Sequence, residues 1–376
     1  MTEVMENRSD GNAIVFCEGT FGNLNGKTAH GLVRFTERYK VLSVVDSTCA
    51  GRDAGKVLDG RDVGIPVFES TEAALQAAEA TGRGATHFIV GIAPDGGRIT
   101  PQIRQGVLEA IRMGLNVDCG LHDYLTEDSE VMEAADRAGK TVRDIRKPPP
   151  REELHLFSGK IEEVDSFKVA ILGTDSAVGK RTTAWILVRA LRKAGVSVEM
   201  VGTGQTAWMQ GAKYIVLMDS LINDFVSGEV EHAVWSAWNE MHPDVIIIEG
   251  QGSLMNPAYP GGFEILAAAR PDAVIMQHAP MRKDYDGFPG YPIHELPRQI
   301  KAVQVISDSP VAALALNHEH IPPDRIRAAC EEMHAQTGIP VFDPLLPGDD
   351  EKLASLIAGL AARHGSARLP PSGPPR

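Results

Sequence analysis

Residues 173–183 read Gly173, Thr174, Asp175, Ser176, Ala177, Val178, Gly179, Lys180, Arg181, Thr182 and Thr183. Small residues in such a run let successive backbone N–H groups turn inward, and a helix starting at its end adds the positive end of its dipole. Lys180 then offers a point charge to a terminal phosphate. The run lies between the apolar FKVAILG and the helical pattern AWILVRALRKAG, which is the strand-to-helix context a phosphate-binding loop requires. Two features depart from the commonest pattern. Five residues separate Gly173 from Gly179, and Arg181 stands where Ser or Thr usually follows the lysine. Thr182 or Thr183 must therefore supply any hydroxyl for a metal.

Other polar groups gather at the ends of apolar runs. Glu249 closes PDVIIIEG and is followed by GQGS; strand ends beside a phosphate loop are where ligands of open α/β sheets sit. Glu249 can hold a metal, act as a base if burial raises its pKa, or simply bond nearby backbone N–H groups. After VSVEMVG comes GTGQT, where Gln205 and Thr206 are either ligand contacts or part of a turn. Asp219, Asp224, Glu229 and Glu231 can bind a metal or line the acidic start of a helix; no metal site is assigned to them. The loop HAPMRKDYDGFPGYPIH collects His278, Arg282, Lys283, Tyr285, Tyr291 and His294. Arg pairs with carboxylates and His can accept a proton near pH 7, so this loop suits a carboxylate-bearing substrate. Near the N-terminus, EGTFGNLNGKTAHG echoes a second phosphate loop with one residue too few, so the loop either contacts a ligand or makes a sharp turn, and Lys27 and His30 can instead reach the other domain's ligand. Asp46 is the one feature a dinucleotide site there would want.

These residues need a scaffold of alternating strands and helices. NAIVFCEG, YKVLSVVDS, IPVFES, ATHFIVGIA, LNVDCGL and TVRDIR read as strands, with TEAALQAAEATG and PQIRQGVLEAIRMG as helices between them. FKVAILG, VSVEMVG, PDVIIIEG, DAVIMQH, VQVIS, AALALN and GIPVFD read as strands of a second α/β domain. The alternation predicts parallel sheets with helices on both faces. Pro148, Pro149 and Pro150 mark a linker. The expected division is a Rossmann-like domain at 1–150, a P-loop domain at 151–365 and a disordered tail at 366–376.

Composition narrows the function classes. A formal charge of −13 offers no general electrostatic footprint for nucleic acid or anionic lipid. Neither a signal peptide pattern nor a long apolar window is visible, so a cytoplasmic protein without membrane partners is expected. Cys17, Cys49, Cys119 and Cys330 lack CxxC spacing and read as reduced, buried thiols. Chains of this kind are often symmetric, so a homo-oligomer is expected.

The letters GTD…VGK with their five-residue spacing resemble dethiobiotin synthetase and its relatives, in which the loop binds ATP. As a set, KTAHG, GTDSAVGKRTTA, GTGQT, DFVSGEVE, EGQGSL with PAYPGG, and the HAPMR loop resemble the DgcN-like family, associated with D-glutamate N-acetyltransferase. The similarity runs from about residue 12 to 350. It implies a Rossmann-like domain, a P-loop domain, and acetyl transfer from acetyl-CoA to the amine of D-glutamate or a related D-amino acid in D-amino-acid catabolism. On that reading residues 173–183 hold the phosphates of coenzyme A, and His278 or Glu249 removes the amine proton. Arg282 with Lys27 takes the substrate carboxylates, Gln205, Thr206, Gln251, Ser253 and Tyr259 add substrate contacts, and N–H groups of the EGQGS turn stabilise an oxyanion. The rival readings are an ATP- and Mg-dependent ligase or kinase of the dethiobiotin synthetase type, and a nucleotide-binding protein without turnover.

Overall fold

Strands buried on both faces must be largely apolar, and the runs in this chain mostly obey that demand; of the buried exceptions, Lys168 and Asp118 are paired with Asp272 and Arg143. The computed structural model describes residues 9–368. The chain divides into two units, one holding residues up to Pro148 together with Gln205–Ala212, the other Pro149–Gly204 together with the residues from Lys213.

In the first unit, β1 (Gly11–Phe16), α1 (Lys27–Arg34), β2 (Tyr39–Val45), α2 (Ala54–Asp59), β3 (Val67–Phe68), α3 (Thr71–Ala80), β4 (His87–Val90), α4 (Pro101–Arg112), β5 (Asn116–Cys119), α5 (Ser129–Ala138) and β6 (Val142–Asp144) follow in order. The sheet runs β3-β2-β1-β4-β5-β6 with every pair parallel. Local signals set the helix starts. Ser70 accepts from the Ala73 N–H, Thr100 from Ile103 with Pro101 at the first turn, and Asp128 from Glu130 and Val131, each satisfying an orphan donor. The strand order reverses between β1 and β4, where such folds take ligands. Here that crevice is bridged by the protein itself, with Ala29 N–H on Gly91 O at 3.0 Å and Ala93 N–H on Asn25 O at 2.7 Å. Asp46 is fully buried and accepts from Phe21 N–H and from the Thr48 N–H and hydroxyl. His30 Nε2 meets Phe21 O at 2.8 Å. The glycine-rich loop after β1 is thus a turn tied down by Asp46 and His30.

The second unit contains β7 (Phe167–Gly173), α6 (Lys180–Lys193), β8 (Val198–Gly202), β9 (Tyr214–Ile215), α8 (Asn223–Met241), β10 (Val245–Glu249), α9 (Gly262–Ala269), β11 (Ala273–His278), α10 (Leu296–Ser307), β12 (Val311–Leu316), α11 (Ile326–Thr337), β13 (Val341–Phe342) and α12 (Asp349–Arg368). Its sheet runs β13-β12-β11-β7-β10-β8-β9, again parallel throughout. β7 lies in the middle with every residue buried. The helix α7 (Gln205–Gln210) lies between β8 and β9 in sequence but packs with the first unit, where Met209 joins the core. A boundary near residue 150 alone therefore leaves this segment out.

Two readings are corrected. VQVIS is not a strand: it ends α10, whose buried Leu296, Ile300 and Val303 recur at helical spacing while Val305 is exposed. The segment read as a tail starts inside α12, which continues to Arg368; residues 369–376 lie outside the described residues. The four cysteines are free and buried, and burial pushes the thiols of Cys17 and Cys119 up to about 12. Among the described residues no helix is long and apolar enough to cross a membrane.

Candidate phosphate site

The central strand β7 delivers the chain to residues 174–179, and the backbone there is tightly constrained. A side chain on Gly173 would meet Val178 Cγ2 at 2.9 Å and Lys180 Cδ at 3.1 Å. Ala177 takes φ 51° and Gly179 φ 103°, conformations that fold the loop back on itself. Gly179 caps α6 without any side-chain hydrogen bond. The first-turn N–H groups of α6 have no intrahelical acceptor, so a 14-residue helix presents them where an anion would sit. Lys180 is buried and its ammonium donates to Asp175 O at 2.7 Å. Burial pushes its pKa down to about 8, opposed by the Asp175 and Glu249 carboxylates.

Neighbouring strand ends hold this loop in place. Gln277, one residue before the end of β11, accepts the Thr174 N–H at its carbonyl (3.0 Å) and the Thr183 hydroxyl at Oε1 (2.5 Å). Thr183 thus directs its hydroxyl into the protein, leaving Thr182 for the hydroxyl role expected of one of the two. Asn317, just after β12, donates from Nδ2 to Val178 O at 2.9 Å. Asp175 is fully buried and is bonded by Asn256 Nδ2, Arg282 Nη1 and the Asp286 N–H. None of Gln277, Asn256 and Asn317 was singled out in the sequence. The available signals were a polar residue near the end of an apolar strand, for Gln277 and Asn317, and an Asn-Pro turn, for Asn256.

The candidate acid–base groups lie at the same sheet edge. His278 ends β11 and shares a 2.9 Å hydrogen bond between Nδ1 and Thr174 Oγ1. Burial pushes its pKa down to about 4, so it is an uncharged imidazole at neutral pH. Glu249 ends β10, is buried, and accepts the Thr203 N–H at 3.0 Å. Burial raises its pKa against the pull of Arg181, the Thr203 N–H and Lys180. Arg181, in the place of the usual hydroxyl residue, therefore brings positive charge to the carboxylate at the end of β10.

Other expected site residues have local jobs. Arg282 donates to Asp175 Oδ2, Ser176 O and Glu319 Oε2. Ser253 receives the Asn256 N–H on its hydroxyl and gives its own N–H to Tyr259 O. Gln251 lies against Gly261, and the Tyr259 side chain is exposed. Lys27, Gln205 and Thr206 belong to the first unit. Lys27 is exposed at the start of α1, Thr206 Oγ1 lies 3.2 Å from Thr28 Oγ1, and Gln205 packs on Gly120. Glu229 receives the His155 N–H, and Glu231 receives the N–H groups of Ser158 and Ile161, so these two carboxylates anchor residues 155–161 on α8. Among the described residues no group of three or more His, Cys, Asp or Glu side chains is arranged to hold a metal.

Comparison with known proteins places both halves. Residues 155–353 match the family model described as "Domain of unknown function (DUF1611_C) P-loop domain", and residues 47–148 match "Domain of unknown function (DUF1611_N) Rossmann-like domain". A protein from Pseudoalteromonas sp named D-glutamate N-acetyltransferase is 31% identical over 284 residues, covering 74% of this chain and 83% of its own length. One from Tritonibacter scottomollicae with the same name is 28% identical over 294 residues, covering 77% of this chain and 85% of its own. The crystal structure of a DUF1611 family protein from Anabaena variabilis superposes with a TM-score of 0.84 at 26% identity, covering 93% of this chain and all of that one. The two-domain α/β architecture and the family resemblance expected from the sequence are both borne out.

Proposed function

We propose an acyl-transfer reaction from one premise: the chain belongs to the DUF1611 family, with its Rossmann-like and P-loop domains in one polypeptide. The reading is an N-acetyltransferase that moves acetyl from acetyl-CoA to the amine of D-glutamate or a related D-amino acid. The observation that carries it is that two curated relatives named for this activity align with three quarters of the chain. The uncapped start of α6 and the buried Lys180 suit the phosphates of coenzyme A. Arg181, which follows Lys180 where a hydroxyl residue is usual and whose charge acts on Glu249, supports a loop that binds them without a hydroxyl-held metal.

In this reaction the amine nitrogen attacks the thioester carbonyl, the N–C bond forms, the C–S bond breaks, and the thiolate leaves to take up a proton. The amine must first lose its own proton. His278 is uncharged throughout the neutral range and accepts it without a prior titration, although a pKa about 4 makes it a weak base; a bound anionic substrate would raise that value. Glu249, its pKa raised by burial, is the other acceptor. In the turn after Glu249 the Ser253 N–H is committed to Tyr259 O, so any oxyanion donor from that turn comes from the N–H groups before it. Cytoplasmic placement, homo-oligomeric assembly and a role in D-amino-acid breakdown accompany this reading.

Mass spectrometry after incubation with acetyl-CoA and D-glutamate should show N-acetyl-D-glutamate, with L-glutamate as the control for handedness. Absence of product together with no calorimetric binding of acetyl-CoA would end the reading. Amino-acid-dependent phosphate release from ATP would instead select a ligase or kinase.

A further inference from the structure

A carboxylate is out of place in a loop that gathers donors for an anion, yet Asp175 lies there with none of its surface exposed. Its Oδ1 receives the Ser176 N–H at 2.7 Å and Asn256 Nδ2 at 2.9 Å; its Oδ2 receives Arg282 Nη1 at 3.0 Å and the Asp286 N–H at 2.8 Å. These donors come from the phosphate loop itself, from the turn after β10 and from the loop after β11. Arg282 adds two contacts, from Nη1 to Ser176 O at 2.7 Å and from Nη2 to Glu319 Oε2 at 2.8 Å. Its side chain is only 14% exposed. Burial works against its charge, but Glu319 and Asp175 more than offset this.

We infer that Arg282 and Asp175 are a positioning pair, in which the guanidinium neutralises the buried carboxylate and fixes residues 175–176 in their anion-binding shape instead of taking the substrate's carboxylates. The inference rests on the reading that residues 173–183 hold a phosphate-bearing donor, and it reassigns Arg282 within that reading. A buried pair that loses one partner leaves an uncompensated charge. Here that charge would be negative and would lie inside the loop that must receive phosphate. Removing both charges together leaves no such repulsion. The two alternatives for Arg282 therefore predict opposite patterns in a double-mutant cycle.

The test measures affinity for coenzyme A, ATP and inorganic pyrophosphate by calorimetry, and KM for D-glutamate at saturating acetyl-CoA, in Arg282→Gln, Asp175→Asn and the double variant. Arg282→Gln should weaken coenzyme A binding roughly tenfold or more, and adding Asp175→Asn should recover most of that loss. KM for D-glutamate should change little. An unchanged coenzyme A affinity with a raised D-glutamate KM would overturn the pair, as would losses that simply multiply in the double variant. If thermal melting shows Arg282→Gln unfolded, the double variant decides alone: coenzyme A binding near the wild-type value supports the pair, and loss of binding overturns it. Wild-type protein that binds coenzyme A without transferring acetyl would remove the acyl-transfer reading and leave the affinity cycle to decide. Wild-type protein that binds none of the three phosphate ligands would remove both.

Discussion

Lys180 is an ammonium held inside the protein before any anion reaches it, and the fold bears the cost. Its folded pKa, about 8, lies below the ordinary lysine value. The unfolded chain therefore holds the proton more tightly, and stability rises as pH climbs from about 8 toward 10.5. At pH 7 the charged form is a net liability to the empty loop. Lys180→Met should stabilise the ligand-free protein by on the order of 1–2 kcal/mol in urea denaturation while removing phosphate-ligand binding. A destabilised variant would mean that the bond to Asp175 O outweighs desolvation. On the proposed reading, affinity of the wild type for coenzyme A should fall as pH passes above about 8, because the ammonium assigned there to the phosphate is being lost. His278 has the same sign at lower pH. Its folded pKa of about 4 lies below the usual 6.5, so its contribution is complete above 6.5 and is lost as pH falls toward 4. That stretch should cost the wild type up to about 3 kcal/mol more than His278→Asn, as read from urea midpoints across the range. Parallel profiles would show that His278 titrates normally.

The elements that carry these groups touch closely at the strand ends. A side chain on Gly250 would lie 2.3 Å from Ile171 O and 3.0 Å from Lys180 Cδ, so β10 and β7 approach as near as they do only because that position has no Cβ. Gly250→Ala should cost about 1–3 kcal/mol in thermal denaturation, since the obstacle is backbone and cannot rotate away. It should weaken phosphate-ligand binding more than a distant change of equal stability cost; equal losses would detach Gly250 from the site. At this scale much of the architecture was legible. Apolar runs such as FKVAILG and PDVIIIEG, alternating with helical patterns, point to strands buried on both faces of a parallel sheet, and the glycine-rich run after the first of them announced the phosphate loop. VQVIS misled because β-branched letters signal strands, whereas burial at Leu296, Ile300 and Val303 obeys the helical period. Gln277 and Asn317 stayed hidden for another reason. A polar residue near the end of a strand has no periodic signature, and its use depends on which loop lies across from it.

For the molecule as a whole, the sequence showed two domains and a proline linker, but it did not show that residues 205–212 belong with the first. Six helical residues are too few for a periodicity to reveal their buried face, and the partner of that face is chosen by tertiary packing. The choice has measurable consequences. Met209 is fully buried in the core of the first unit, and the Trp208 ring lies under Arg38 at 3.8 Å and Arg143 at 4.9 Å. Gln210 Nε2 donates to Gly31 O and Phe35 O at 2.9 Å each, satisfying carbonyls at the end of α1. A fragment ending at Pro148 lacks all of these contacts. In the full chain, Met209→Ala should destabilise the first unit by about 2–4 kcal/mol, the usual cost of emptying a buried site of that volume. Hydrogen exchange should place the lost protection in β1 and α1 while amides of β7 and β11 keep theirs. A fragment of residues 9–148 should show a lower urea midpoint than the first unit of the whole protein, and joining residues 203–213 to it through a flexible linker should restore most of the difference. Equal midpoints with and without the added segment would show that α7 merely rests on a domain already complete.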